Sequence, residues 1–314
     1  MQKLLFTLLL VGCKFAPPTG MADGPTGDDD APAGDGPPGA SCITKWRTTT
    51  VSFDPPTKLL ELTSNLIEVE PWISEDGLAI TFVREESPGK GEIFVAMRTA
   101  LDQPFGAIEP SLLSYPSSDE SKASFTANFA LAIFASNVAL PTFEGEVDLY
   151  ASLRAPAADP NGAWPVPTQV ALAAVNTSGR DQDPWLVADG SRLYLSIDPM
   201  GAPKSFIAVS VFNTGIYENP TPVLAAGESD SDPALTADET VLVFTSNRAG
   251  GEGKRDLWYA TRDNRNDAFD SPVHVPTVSG AEEDQDAALS ADGCTLYFVS
   301  NRDGNRDLFM ATVK

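Results

Sequence analysis

The sequence predicts an all-β protein, a β-propeller of five four-stranded blades closed by its N-terminal strand, and three observations support this prediction. A short motif recurs five times, three of the copies contain plainly alternating strand segments, and an aromatic residue opens a Pro-rich segment before each copy. The two clearest copies are residues 232–248 and 286–302. Repeats of this size, built from short strands and tight turns, are typical of propellers and solenoids.

The copies are spaced as neighbouring blades of one ring would be. Measured at one motif position they lie 52, 61, 49 and 54 residues apart, at Pro71, Ala123, Pro184, Pro233 and Ala287. The alternating segments 193–196, 241–244 and 295–298 predict strands. Asp-Gly pairs at 76–77, 189–190 and 292–293 predict the turns that join them.

The order of the segments predicts how the ring closes. The aromatic residues that open the outer strands are Phe53, Phe105, Trp164, Tyr217 and Phe269. The chain therefore begins with an outer strand, and it ends at Lys314 after the third strand of the last copy. Pairing these two segments completes the last blade and removes an exposed sheet edge. An open ring, or six blades with one degenerate blade, is the alternative.

The motif resembles that of the TolB-type, WD-repeat-like β-propeller family. The last copy carries it most fully, as Ala-Leu-Ser-Ala-Asp-Gly at 288–293, Leu-Tyr-Phe-Val-Ser-Asn-Arg at 296–302 and Asp-Leu-Phe at 307–309. The copy at 122–150 lacks Asp-Gly, and the copy at 183–210 lacks Ser-Asn-Arg. The resemblance implies a propeller over residues 53–314, with protein–protein contacts in the cell envelope through loops at one channel face. It is specific for the fold and weak for function.

The net charge of the chain indicates which classes of partner it could bind. The chain has 314 residues, 42% hydrophobic content and a formal net charge of -23. A surface of this charge repels nucleic acid and anionic headgroups, so we expect no nucleic-acid partner and favour a basic one. We expect a monomer.

The N-terminus predicts export and lipid attachment. A basic start is followed by an apolar run at 4–11, which is shorter than the ~20 residues that span a bilayer. Leu-Val-Gly-Cys at 10–13 resembles the bacterial lipobox, so residues 1–12 are read as a signal peptide and Cys13 as the lipidated residue. An ordinary signal peptide with a chance cysteine is the alternative.

The next segment predicts a tether. Residues 13–41 are rich in Gly, Pro and Asp, and nothing in them could bury a core, so we expect disorder there and a propeller over 42–314. Lys14 after the lipobox suggests the outer membrane, while the membrane face stays open.

The two remaining cysteines predict a disulfide. Cys294 follows the turn between the first two strands of the last copy, and Cys42 precedes the strand expected to complete that blade. Strand direction places both at one rim, in a compartment where disulfides persist. Two free thiols are the alternative.

Acidic pairs precede four of the inner strands. They are Glu68 and Glu70, Asp181 and Asp183, Asp230 and Asp232, and Asp284 and Asp286, while the second copy has Glu120 and Lys122. Residues two apart on a strand point the same way, so we expect these groups to converge at one mouth of the channel. The residues predicted for a ligand or cation there are Glu70, Asp181, Asp183, Asp232 and Asp286.

Two interpretations of these acids stay open. In the structural one, Arg84, Arg248 and Arg302 each lie between two carboxylates of their own blade, and Lys204 substitutes in the third blade. In the other, a cation such as Ca²⁺ binds, although no calcium-loop spacing is present. No cofactor is otherwise expected.

Catalysis has little support in the sequence. His274 is the one histidine and lies in a Pro-rich outer strand, so no Ser-His-Asp triad and no catalytic residue are assigned. Some five-bladed propellers are glycoside hydrolases with paired acids at the channel mouth. Here the acids repeat in nearly every copy, which favours a scaffold. The leading hypothesis is a membrane-anchored binding module of the cell envelope, and the alternative is a carbohydrate-active or cation-binding propeller.

Overall fold

The computed structural model describes residues 40–48, 51–87, 90–113, 118–137, 147–225, 228–275 and 277–314. Cys13, the predicted signal peptide and the tether up to residue 39 lie outside the described residues. The fold is all-β: two short helices accompany the strands in the described ranges, α1 at Ala40–Thr48 and a 3-10 helix at Val170–Leu172. Helix α1 was not predicted, and its first two residues fall in the segment assigned to the tether.

Five antiparallel sheets form the five predicted blades. Strand β1 is Thr57–Lys58. Blade 1 contains β2 Ile67–Ile73, β3 Ala79–Ser87, β4 Lys90–Met97 and β5 Ile108–Pro110. Blade 2 contains β6 Glu120–Phe125, β7 Leu131–Ser136 and β8 Asp148–Leu153. A single bridge between Ala151 and Thr168 stands in place of its outer strand.

Blades 3 to 5 follow the same order outward from the channel. Blade 3 contains β9 Arg180–Leu186, β10 Arg192–Asp198 and β11 Phe206–Asn213, with β12 Ile216–Tyr217 and β13 Thr221–Pro222 both paired to β11. Blade 4 contains β14 Asp230–Leu235, β15 Val241–Ser246, β16 Asp256–Thr261 and β17 Val273–His274. Blade 5 contains β18 Asp284–Leu289, β19 Thr295–Ser300 and β20 Asp307–Thr312.

The N-terminal strand completes blade 5, as predicted. Strand β1 pairs antiparallel with β20, with Thr57 opposite Met310 and Lys58 opposite Phe309. A bridge from Phe53 to Val313 and a hydrogen bond from the Leu59 amide to the Leu308 carbonyl (2.9 Å) extend the pairing. The inner strands β2, β6, β9, β14 and β18 contact one another in ring order. Closure therefore covers the edge that blade 5 would otherwise expose.

Helix α1 and a disulfide fasten this closure. Cys42 and Cys294 are bonded, with Cα atoms 5.2 Å apart, which confirms the predicted pair. Trp46 is buried, and its indole nitrogen donates to the Gly293 carbonyl at 2.8 Å. Its ring packs on Tyr259, with centroids 5.1 Å apart. The segment before β1 is thus tied to blades 4 and 5.

The channel has two distinguishable ends. We call the end where the inner strands begin the entry face, and the end where they finish the turn face. At the turn face the predicted Asp-Gly turns are present: Asp76 accepts hydrogen bonds from the Ser74 hydroxyl (2.6 Å) and the Leu78 amide (2.9 Å). Gly77 follows with φ +70°, a conformation that glycine adopts without steric cost.

Candidate functional site

At the entry face the first acid of three pairs is buried against an arginine of its own blade. Arg302 donates to Asp284 at 2.6 Å, and Arg248 donates to Asp230 at the same distance. Arg84 donates to Glu68 at 2.9 Å. Each arginine neutralises a carboxylate that is almost wholly removed from water. The ion-pair part of the structural interpretation is therefore present in three blades.

The expectation that each arginine lies between two carboxylates is wrong. The other face of each guanidinium lies over aromatic rings: Arg248 is 5.0 Å from the Phe244 centroid and 5.3 Å from the Trp258 centroid. Asp256 instead accepts from the Gly253 amide, and Asp307 binds Lys58 at 2.6 Å. The aromatic residue of each Asp-Leu-aromatic motif gives the arginine a flat surface, so a second carboxylate is not needed.

Blade 3 lacks this arginine, and its first acid, Asp181, is stabilised by other groups than the one predicted. Asp181 accepts hydrogen bonds from the backbone and the hydroxyl of Thr177, at 2.5 and 3.3 Å. Lys204, expected to substitute, pairs with Glu228 at 3.4 Å. Burial raises the pKa of Asp181 to about 6, and the Thr177 hydrogen bonds act in the opposite direction.

The second member of each pair lies in a β-bulge. The register of every inner strand shifts at this position. In four blades the bulged residue has a left-handed backbone, with φ between 53° and 56°, at Glu70, Asp183, Asp232 and Asp286. A bulge re-aims the side chain relative to simple alternation. The two acids of a pair therefore have different partners, and the expectation that they point the same way is wrong.

The bulged residues form what we call the central ring: Glu70, Lys122, Asp183, Asp232 and Asp286. Their contacts join neighbouring blades, whereas the first acids bind within a blade. The Glu70 carboxylate accepts from the Lys122 amide at 2.5 Å, and Asp286 accepts from the Glu70 amide at 3.3 Å. The Asp232 amide donates to the Ser196 hydroxyl at 3.0 Å. The ring thus closes the inner strands on one another.

The electrostatics of the central ring follow from burial and like charge. Burial raises the pKa of Asp286 to about 7, and the neighbouring Asp232 adds to the shift. Burial and then Asp232 hold the pKa of Asp183 well above its ordinary value, while Lys122 acts in the opposite direction. Burial, with Asp183 and Asp286, raises the pKa of Glu70. In all three groups burial is the larger cause of the raised pKa, and the like charge of neighbouring carboxylates adds to it.

Lys122 supplies the positive charge of the central ring. It is 1% exposed, donates to the Ala287 carbonyl at 3.2 Å and lies 5.7 Å from the Trp185 ring centroid. In the described part of the chain no group of three or more His, Cys, Asp or Glu side chains is placed to hold a metal ion. A carboxylate oxygen of Asp183, Oδ2, is buried without a hydrogen-bond partner there.

At the turn face the channel ends in an apolar recess that sequence reasoning missed. All five blades contribute to it, and it encloses about 50 Å³. Its large side chains are Trp72, Phe125, Phe129, Trp185, Leu235 and Leu289. Two wider pockets adjoin it: one of about 760 Å³ shares Ala127 and Ala188 with the recess, and one of about 700 Å³ shares Glu75, Ala237 and Ala291. Alternation predicts such residues as core, and only the structure shows that they line an opening.

A cluster of arginines around a buried glutamate was also missed. Glu239 occupies the turn position where blades 1, 3 and 5 have glycine, with φ +57°. Its carboxylate accepts from the Tyr194 hydroxyl at 2.7 Å and from Arg265 at 2.9 Å. Arg192 and Arg262 approach it to 3.5 and 3.7 Å. These contacts join blades 3 and 4 beside the turn face.

His274 takes no part in the channel. It lies on outer strand β17 and packs on Trp258, with ring centroids 5.2 Å apart. None of the described helices is long and apolar enough to cross a membrane.

Comparison with known proteins supports the fold. No protein-family model matches the chain, and no curated protein matches it. Among solved structures, TolB from Acinetobacter baumannii matches with a TM-score of 0.51 and 16% identity over 81% of this chain, which spans 56% of that TolB chain. An α-L-arabinofuranosidase from Lactobacillus brevis matches with a TM-score of 0.55 and 12% identity, over 82% of this chain and 94% of that one. A second one, from Podospora anserina in complex with cellotriose, matches with a TM-score of 0.53 and 10% identity, over 84% and 97%.

These likenesses show the propeller architecture alone. They include TolB and glycoside hydrolases at similar scores, so they leave open both function classes that the sequence raised.

Proposed function

We propose that the chain is an exported, lipid-anchored β-propeller that acts as a binding module of the bacterial cell envelope and takes a partner protein at its turn face. One observation carries this proposal: all five blades converge on an apolar recess at that face, continuous with two wider pockets. Apolar concavities with a polar rim are common interaction sites.

The charges at the other end favour a structural role for that end. The first acids of three blades are held by Arg84, Arg248 and Arg302, and four of the five residues of the central ring are buried. A partner would gain little from carboxylates that are already paired or buried. The turn face, by contrast, presents apolar surface at exposed Ala127, Ala237 and Leu101, and the large side chains of the recess lie buried beneath it.

The anchor is proposed from the sequence. Lipidation at Cys13 would hold the protein at a membrane, with the outer membrane favoured by Lys14. Because α1 and Cys42 are fastened beside the turn of blade 5, the tether would join the propeller at its turn face. The partner would therefore be an envelope protein near the anchored end.

A capture experiment in envelope extract tests both the lipid anchor and the binding face. We expect the full chain to fractionate with membranes and to retain a specific envelope protein after crosslinking. Cys13→Ser should release the chain from the membrane fraction. Ala127→Trp, which fills the recess from an exposed turn position, should abolish capture, whereas Ala202→Trp on the entry face should leave it intact. Equal capture by both tryptophan variants would contradict the proposed binding face.

A second candidate function is a carbohydrate-active propeller. Asp183 favours it, because its Oδ2 is buried without a partner in the described residues and its pKa is raised, as in a general acid. Turnover of an arabinoside or xyloside that Asp183→Asn abolishes without unfolding the protein would support this function. Turnover that survives the substitution would exclude Asp183 as the acid.

A further inference from the structure

A pocket of about 700 Å³ lies off the channel axis where the turns of blades 5, 1 and 4 meet. We call it the seam pocket, because blades 5 and 1 are also the two ends of the closed ring. Apolar side chains line part of it: Ile43 of α1, Leu101 after β4, and Met310 of β20. Leu101 is 58% exposed, so the pocket presents aliphatic surface to solvent. An apolar partner group would find a partly formed site here.

Four carboxylates line the same pocket. They belong to Glu75, Asp76, Asp238 and Asp292. The three aspartates are fixed by their own turns; Asp292, for example, accepts from the Ser290 hydroxyl at 2.6 Å and from the Cys294 amide at 2.9 Å. None of the four forms an ion pair with a lysine or arginine of the described ranges. This differs from the entry face, where the acids are paired.

Among the described residues that line the pocket, the one basic side chain is already engaged. Arg98 donates to the carbonyls of Gly77 (2.7 Å) and Leu101 (3.0 Å) and to the Tyr297 hydroxyl (3.2 Å). Its guanidinium also lies 4.7 Å from the Phe105 ring centroid. These contacts position the pocket wall and leave the four carboxylates to an incoming cation.

We infer that the seam pocket binds a segment of a partner protein in which lysine or arginine flanks an aliphatic side chain. This inference rests on the proposed function, because it names the partner chemistry for the same face. The aliphatic group would pack against Leu101 and Met310, and the cations would meet Glu75 and Asp238. Because exposed charge pairs are screened by salt, binding should weaken as ionic strength rises.

Other occupants have the wrong charge or lack ligands. A second copy of the chain carries the same net charge of -23, and residues 14–41 contain five aspartates and one lysine. Anionic headgroups would be repelled. The described residues offer no group of three acids placed for a metal ion. A basic protein segment is the class that the charges favour.

Peptide binding to the full-length chain tests this inference. A fluorescent peptide Lys-Leu-Lys-Leu-Lys should bind in 50 mM salt and weaken at least tenfold in 300 mM salt, as measured by anisotropy. Glu75→Gln combined with Asp238→Asn should weaken binding at least fivefold, and Leu101→Ser should weaken it as well. The matched control Glu252→Gln removes one exposed charge in the loop before β16 and should change affinity less than twofold.

Four results would overturn the inference. They are equal binding of Glu-Leu-Glu-Leu-Glu, equal binding of Lys-Ser-Lys-Ser-Lys, an equal loss in Glu252→Gln, and a dimer in sedimentation that Leu101→Ser disrupts. One experiment distinguishes failure of the seam-pocket inference from failure of the proposed function. If the variant with Glu75→Gln and Leu101→Ser still captures its envelope partner while Ala127→Trp does not, the turn face binds a partner but the seam pocket does not select it.

Discussion

The Glu70 carboxylate accepts a hydrogen bond from the backbone amide of Lys122, 2.5 Å away, across the boundary between blades 1 and 2. This contact is local in space and 52 residues apart in sequence. Asp286 accepts from the Glu70 amide at 3.3 Å in the same way, across the boundary between blades 5 and 1. At these two positions the bulged strand turns the side chain toward the next blade, so the central ring links inner strands that are distant in sequence.

The raised pKa of Asp286 predicts that stability falls as pH rises. Between its ordinary value of 3.8 and about 7, the folded protein holds a proton that the unfolded chain has released. The free energy of unfolding therefore decreases across that window and levels off above pH 7. The urea midpoint of unfolding should fall less between pH 5 and pH 8 in Asp286→Asn than in the wild-type protein. Asp102→Asn, on an exposed loop, should behave like the wild-type protein. Parallel curves for all three proteins would contradict this reading.

Removing the cation of the central ring should be costly. Lys122→Met leaves Asp183 and Asp286 without their nearby positive charge in a buried site, and we expect a loss of about 3 kcal/mol at pH 8. The loss should be smaller at pH 5, because Asp286, whose pKa is raised to about 7, is then protonated. Denaturant unfolding of Lys122→Met beside exposed Lys254→Met measures this difference. A loss independent of pH would mean that the lysine acts through packing alone.

Buried ion pairs of the entry face should contribute more to the free energy of unfolding than exposed ones. Arg302→Met leaves the fully buried Asp284 unpaired, and we expect a loss of about 2 kcal/mol. Arg306→Met breaks a more exposed pair with Glu283 and should cost less than about 1 kcal/mol. Urea unfolding of the two variants provides the comparison. Similar losses in the two variants would contradict the expectation that the buried pair contributes more to stability.

The disulfide should stabilise the closed ring. Cys42 and Cys294 are 252 residues apart, so the bond constrains nearly the whole unfolded chain. Replacing both by serine should cost about 3 to 5 kcal/mol and lower the melting temperature. Reducing agent should have the same effect on the wild-type protein and none on the double variant. A melting temperature that neither treatment changes would mean that β1 and α1 hold the closure without the bond.

The sequence predicted most of the architecture because the propeller repeats. The intervals between Pro71, Ala123, Pro184, Pro233 and Ala287, together with the position of Phe53 before the first copy, led to five blades and the correct closure. Cys42 and Cys294 followed from strand direction alone. Arg248 and Arg302 were matched to acids because both residue types recur at fixed motif positions.

The parts that could not be predicted depend on backbone and packing. Alternation assumes an extended strand, so it could not show that Asp232 and Asp286 adopt a left-handed bulge. Helix α1 is short and lacks a clear apolar periodicity, and tertiary contacts of Trp46 stabilise it. Trp72 and Trp185 have the pattern of core residues, and only the convergence of all five blades on the recess brings them to an opening.

Site-specific photo-crosslinking in intact cells tests the binding face most directly. A benzophenone side chain placed at Ala127 on the turn face and, separately, at Ala202 on the entry face samples the two ends of the propeller. We predict a discrete protein adduct from position 127 and none from position 202. An adduct from position 202 alone would place the partner at the entry face and contradict the account.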